Sequence, residues 1–405
     1  MNPVLPQSSS PASARARALA RRGAGVLAGA VLTSVVLSGC GTISTGGEPS
    51  LTAPAGVLES GLPRTQVWSG YGVGTSNYSE QAAVAESLIN DFGSQVRILG
   101  SDTGMGRLTP LRVGQAQIAR LSDEAFYAFE GKYEFLSEDW GPQDLRSVWT
   151  PPTTVTVGVR DGEGIETLQD LKGKKVPYFV GNPSSQEKIQ GVLAYAGLSE
   201  NDVTMVPAQY GTQPQMLKDG AIDMVFFGIE SSAIIEVATT TPFTWLDFGD
   251  GPAAEDRFQE RAPSVQMLPY TSSVGMGDAK ELHGPTYSIL MTTYAQYSTE
   301  EVYAMVKAFH EAYPSYENAT STTDLWNFET IDWMPVVIPH HDGLVQYLEE
   351  QGVWTPAMEE RNQALIARGE TLREGWESFK EDVPQEQWAS EWEKWKAENA
   401  PLPPL

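Results

Sequence analysis

From Arg64 onward the chain alternates between two hydrophobic periodicities. "TQVWSGYG" predicts a strand entering a Gly-rich turn, and "YSEQAAVAESLINDF" places apolar residues at helical spacing, with Asn77 or Ser79 available to cap its start. "SQVRILGSD" predicts a second strand. "LTPLRVGQAQIARLSDEAFYAFEG" predicts a short helix, a strand and another helix, and "VTVGVRD" a further strand. The alternation continues through "GIETLQDLKGKKVPYFVG", "QEKIQGVLAYAGL", "DVTMVPA", "QPQMLKDG" and "AIDMVFFG". Strands alternating with helices predict a mainly parallel α/β sheet covered on both faces, and the length favours two such lobes over one.

Beyond about Thr292 the strands thin out. "STEEVYAMVKAFHEAYPSYENA" predicts an amphipathic helix with Val302, Met305, Val306, Phe309 and Tyr313 on one side. Near the end, Trp388, Trp392 and Trp395 stand at i, i+4 and i+7. Such a stripe packs against a protein body far more often than it cages a ligand. No internal repeat is visible.

The first 22 residues carry Arg15, Arg17, Arg21 and Arg22 and no acidic residue, and no charge follows between Gly23 and Gly39. This pattern is an export leader, not part of the fold, and its apolar run is shorter than the roughly 20 residues that span a bilayer. Leu37-Ser38-Gly39-Cys40 resembles the bacterial lipobox, which implies that Cys40, the sole cysteine, is lipidated and becomes the new N-terminus. Residues 1–39 are then the leader. The Gly-, Ser-, Thr- and Pro-rich stretch that follows makes 40–64 a flexible tether. The protein is expected to be exported and anchored by lipid, on the outer face of the cell membrane or in the periplasm.

Without the four leader arginines, 23 of the 27 basic residues stand against 52 acidic ones, a net charge of −29. A nucleic-acid partner is therefore not expected, because a phosphate-binding surface needs clustered Lys and Arg.

No catalytic motif emerges. "GYGVGTS" has Gly70 and Gly72 of a dinucleotide fingerprint but Thr75 at the third glycine position, and "DLKGKKV" departs from a phosphate-binding loop at Leu168 and Lys175. The histidines are His283, His310, His340 and His341, and the adjacent pair cannot point together from one helix face. The expectation is a binding protein with no cofactor, no metal and no catalysis.

Several stretches together resemble the TAXI-type solute-binding proteins of TRAP transporters. They are "YGVGTSNYSEQAAVAESL", "TGMGRLTPLRVGQAQIARLSDEAFYAFEG", "GIETLQDLKGKKVPYFVGNPSSQEKIQGVLAYAGL", "LKDGAIDMVFFG" and "IPHHDGLVQYLEEQG". The "DLKGKKV" core is shared with ABC-type binding proteins. The resemblance implies a type II periplasmic-binding-protein fold, two α/β lobes joined by two crossover strands, with a C-terminal helical extension. Lobe I would comprise 65–150 plus 288–405 and lobe II 151–287, with crossovers near "SVWTPPTTVTVGV" and "PTYSILMTTYA". It also implies capture of a small solute in the cleft and delivery to TRAP integral-membrane subunits. Residue by residue, it brings Thr75, Ser76, Asn77 and Tyr78 to the cleft from the first loop, Ser184 and Ser185 from the other lobe, and Gly228 at a strand end. Hydroxyl and amide residues after a strand also serve as helix caps. Arg107 departs from the family's usual Asn. A guanidinium there would grip a carboxylate with two parallel hydrogen bonds, so the expected solute is a small organic anion. Two other readings stand beside this one: an ABC-importer receptor of the nitrate, sulfonate or thiamine-precursor type, and an exported hydrolase.

Overall fold

This computed structural model describes residues 56–403 except 74, 102, 180, 181 and 250. The leader, Cys40 and the tether as far as residue 55 lie outside the described residues. In chain order the strands are β1 (Thr65–Gly70), β2 (Gln95–Gly100), β3 (Ile118–Leu121), β4 (Leu145–Trp149), β5 (Pro152–Arg160) and β6 (Lys175–Phe179). There follow β7 (Thr204–Ala208), β8 (Met224–Gly228), β9 (Phe243–Trp245), β10 (Gln266–Tyr270), β11 (Leu282–Ser288) and β12 (Leu290–Tyr294).

The first sheet has the order β2-β1-β3-β12-β4, the second β10-β11-β5-β8 with β9 also paired to β5, and β6–β7 form a separate ladder. The chain passes from first sheet to second through Thr150 and Pro151, and returns through Ile289. These connectors run side by side, with Ile289 N–H donating to the Pro151 carbonyl at 3.1 Å. The expectation of mainly parallel sheets is corrected here. Among the described residues only β1–β2, β1–β3 and β6–β7 pair in parallel, and every pairing within the second sheet is antiparallel. Alternation of helix and strand sets the local period, but a crossover strand takes its direction from the sheet it joins.

The strand faces explain the apolar runs. On β8, Met224 and Phe226 enter one core while Val225 and Phe227 enter another, so "DMVFFG" is buried on both faces. Trp68 of β1 and Trp149 of β4 both meet Phe309 edge-on at 5.7 Å. Val302, Met305, Val306 and Phe309 line the buried side of the helix Thr299–Glu311, as their spacing predicts. Tyr313 lies past that helix, in the short helical turn Tyr313–Tyr316, and is half-buried. The long helix Pro356–Asp382 and the last helix Trp388–Asn399 cover the first sheet's side, where Trp388 and Trp392 pack on Trp376 at 5.0 and 5.2 Å and Trp395 stacks on Trp392 at 4.8 Å.

Four helices position the groups described next: α1 (Ser76–Ser87), α2 (Gly104–Arg112), α3 (Glu124–Glu130) and α4 (Pro183–Tyr195). The cap of α1 is Thr75, not Asn77 or Ser79: its hydroxyl accepts from Tyr78 N–H at 3.1 Å and donates to the Gly72 carbonyl at 2.9 Å. Gly70 makes the turn possible, because a Cβ there would stand 1.9 Å from Gln81 Oε1.

Candidate functional site

In the first sheet, β1 lies between β2 and β3 and is parallel to both, so the loops leaving β1 and β3 turn to opposite sides. Such a switch point opens a crevice beyond the carboxyl ends of the strands. Tyr71 follows β1, and Ser122, Asp123 and Glu124 follow β3. Across the gap stand Ser184 and Lys188 of α4, Tyr210, Gly228 at the end of β8, Ser264, and Tyr287 of β11.

Three tyrosines line this crevice. Tyr71, Tyr210 and Tyr287 are each surrounded by protein yet keep accessible surface. Burial pushes all three phenols well above their ordinary range, with Glu124 adding to the effect at Tyr71, Tyr210 and then Asp123 adding to it at Tyr287, and the Gly228 N–H working against it at Tyr210. They are neutral donors at any physiological pH. Tyr210 stacks on Phe227 at 4.6 Å, and its hydroxyl accepts from Gly228 N–H at 3.2 Å.

Charges enter as opposed pairs. Arg107 Nη2 donates to Glu124 Oε1 at 2.9 Å, Nη1 donates to the Ser101 carbonyl at 3.0 Å, and the guanidinium lies 4.0 Å from the centre of the Tyr71 ring. Gly104 permits this approach, since a Cβ there would come within 2.4 Å of Glu124 Cγ. Arg120 pairs with Glu80 and donates to the Asn77 carbonyl at 2.9 Å. Lys188 pairs with Asp123, donates to Ser184 Oγ at 2.9 Å and lies 4.1 Å from the Tyr287 ring centre. Asp123 also accepts from Ser184 Oγ at 3.1 Å and Ser264 Oγ at 2.6 Å.

A cavity of about 40 Å³ adjoins these groups at the hinge end, with Ser122, Asp123, Thr150, Ser264, Ser288 and His340 among its walls. The hydroxyls of Ser122 and Thr150 are buried there and have no hydrogen-bond partner among the described residues. This space holds one or two water molecules, far below the roughly 300–1,000 Å³ of a small-molecule pocket, so the sheets must part to admit a solute.

The residues named from sequence divide into two sets. Arg107, Ser184 and Gly228 sit at the crevice as described, and Ser185 is buried on α4 with its N–H donating to the capping side chain of Asn182 at 3.0 Å. Thr75 spends its hydroxyl on capping α1. Ser76 is exposed, Asn77 offers its carbonyl to Arg120, and Tyr78 is half-buried. Tyr71, Asp123, Glu124, Lys188, Tyr210 and Tyr287 were not among the expected residues. The acidic pair directly after β3 carried a usable signal, since it follows a strand at a switch point. Lys188 carried none, because a lysine on a helix reads as a solvated face.

The NMT1-like family model matches residues 72–352. Among solved structures, the periplasmic aliphatic sulphonate binding protein SsuA from Escherichia coli is 16% identical over 84% of this chain and 91% of its own, with a TM-score of 0.42. The alkanesulfonate-binding protein SsuA from Xanthomonas axonopodis pv. citri, bound to MOPS, is 16% identical over 76% and 98%, with a TM-score of 0.40. The methionine binding protein MetQ is 14% identical over 64% and 97%, with a TM-score of 0.39. The fold is α/β, with a mixed first sheet, an antiparallel second sheet and a parallel β6–β7 ladder. The family match overturns the resemblance to TAXI-type proteins of TRAP transporters. The stretches that carried it build the lobes themselves: "DLKGKKV" is a helical turn at Leu168–Leu171 leading into β6, a feature of how a lobe folds rather than of the transporter it serves. The chain belongs to the NMT1-like family.

Proposed function

We propose that this chain is the solute-binding component of an ABC importer, which captures a small organic anion between its two sheets and delivers it to membrane subunits. The observation that carries the reading is the crevice: two sheets joined by two short connectors face each other through three half-buried tyrosines, with two unpartnered buried hydroxyls at its base. Buried polar groups without partners are rare in native proteins and mark places where something else completes the bonding. The "DLKGKKV" turn shared with ABC-type binding proteins supports the importer class. Export by the leader and anchoring through Cys40 belong to the same reading.

The anionic class rests on Arg107 and Lys188, which approach from opposite sides and are each held by a carboxylate, Glu124 and Asp123. A solute anion takes over those donors when the crevice opens and closes around it. Native mass spectrometry of the purified protein identifies the retained solute, and calorimetric titration of that solute tests its contacts. Removing one partner of a buried charge pair costs about 2–5 kcal/mol, so Arg107→Ala weakens binding by roughly thirtyfold to several thousandfold. Glu124→Gln, which removes the negative charge facing Arg107 Nη2, leaves binding intact or tighter. Affinities within about threefold for wild type and Arg107→Ala remove Arg107 from the site. Failure of the protein to retain or bind any small molecule removes the receptor reading itself.

A further inference from the structure

One contact between the two halves lies outside the crevice. Glu187, on α4, is 8% exposed, and its carboxylate reaches across to the first sheet's side. There it accepts from Tyr127 Oη at 2.5 Å, from Lys132 Nζ at 2.8 Å and from the Tyr133 hydroxyl. All three donors come from α3 and the turn after it. They form a ready-made socket: the Tyr127 and Tyr133 rings meet edge to face at 4.9 Å, and Lys132 Nζ stands 4.8 Å from the Tyr133 ring centre.

The socket carries a backbone cost. Tyr133 has φ 54°, the only non-glycine residue with positive φ among the described residues. A ring-bearing residue disfavours that region, and outliers of this kind persist where the surrounding structure makes use of them. The turn "GKY" begins at Gly131, itself at φ 61°, where a Cβ would stand 2.8 Å from Pro142 Cδ. The bend carries both the Lys132 and the Tyr133 side chains onto Glu187. The socket is also held from behind. Glu130, at the end of α3, is paired with Arg368 and Lys396, and Trp392 Nε1 donates to the Glu130 carbonyl at 2.9 Å.

We infer that Glu187 and the Tyr127–Lys132–Tyr133 socket form a closure latch, a positioning device that sets how much of the unliganded protein stands closed. The inference rests on the reading that solute enters between the two sheets. The Glu187 carboxylate is taken up by the three socket donors, so the latch acts on the closed population and not by touching solute. A solute that favours the closed form binds in proportion to how much of that form is already populated. The strained turn is the cost of holding three donors on one carboxylate that belongs to the other half of the molecule.

The test needs no solute. Small-angle scattering of the purified, unliganded chain is compared for wild type, Glu187→Gln and Tyr133→Phe. Glu187→Gln removes the charge and keeps the shape, and Tyr133→Phe keeps the ring and removes only the donor. Both are expected to raise the radius of gyration, by on the order of 1 Å on the roughly 20 Å of a compact domain of this size. The unfolding midpoint is measured alongside. A bond with a merely structural role lowers the midpoint and leaves the native radius unchanged. Should Glu187→Gln fail to fold, Tyr133→Phe decides alone. Radii identical to wild type in the folded variants overturn the latch. That result is separate from failure of the receptor reading, which native mass spectrometry reports.

Discussion

Glu130 and Glu187 are both buried carboxylates that each receive several donors, yet their surroundings give them different work. Glu130 is 3% exposed and is served by Arg368 and Lys396, which come from the C-terminal helices packed on the same half of the molecule. Every part of that network moves together. Glu187 sits on one half and its donors sit on the other. Similar hydrogen bonds therefore stabilise a lobe in the first case and a relative position of lobes in the second. Placement with respect to the two connectors, not bond strength, separates the roles.

The largest expected effect is on the first side of this comparison. Glu130→Ala leaves Arg368 buried without its carboxylate and Lys396 with only Glu393, which costs about 3–5 kcal/mol. Chemical denaturation reads that loss as a lower midpoint, and the native radius of gyration stays at the wild-type value. An expanded native state in Glu130→Ala breaks the distinction between the two carboxylates.

Acid sharpens it next. His340 donates from Nε2 to the Trp333 carbonyl at 2.8 Å and accepts at Nδ1 from Ser147 Oγ at 2.6 Å, so it is held neutral within the first sheet's half. Burial pushes its pKa down from 6.5 to about 4. As pH falls the unfolded chain takes the proton first. The contribution is complete above about pH 6.5, declines between 6.5 and 4, and is spent below the folded pKa, amounting to about 3 kcal/mol. Denaturation at pH 7 and pH 4.5 measures the decline, and His340→Asn shows a shallower one. Equal slopes for variant and wild type would place the acid sensitivity elsewhere, with His341, also pushed down to about 4 by burial, next in line.

The smallest effect lies in the latch itself. Lys132 is a quarter exposed, so solvent screens its pair with Glu187. A double-mutant cycle of Lys132→Met and Glu187→Gln is expected to give a coupling of about 0.5–1 kcal/mol in unfolding free energy. A coupling several times larger makes Glu187 as much a stabiliser of the fold as Glu130 and erases the contrast.

Much of this architecture was legible locally. The spacing of Val302, Met305, Val306 and Phe309 announced a buried helix face, and the tryptophan stripe announced packing, because both depend on a period of 3.6 residues. The cap of α1 was misplaced by two or more residues because Thr75, Ser76, Asn77 and Ser79 all carry capping side chains, and only the path of the turn selects one of them. In the crevice, Arg107 and Ser184 stood out as polar residues near strand ends. Lys188 and Glu187 did not, since "QEKIQG" reads as the wet face of a helix.

The amino-acid sequence alone placed the alternation of strands and helices from β1 to β8 and the buried face of the helix Thr299–Glu311, because these follow from side-chain period. Only the tertiary structure decided the direction of the crossover strands and the partners of the crevice. Asp123 and Lys188 stand 65 residues apart and Tyr127 and Glu187 stand 60 apart. No periodicity reaches across that distance. Such pairs exist because surfaces built on two different sheets meet, and the charge each residue faces is set by the other side of the crevice.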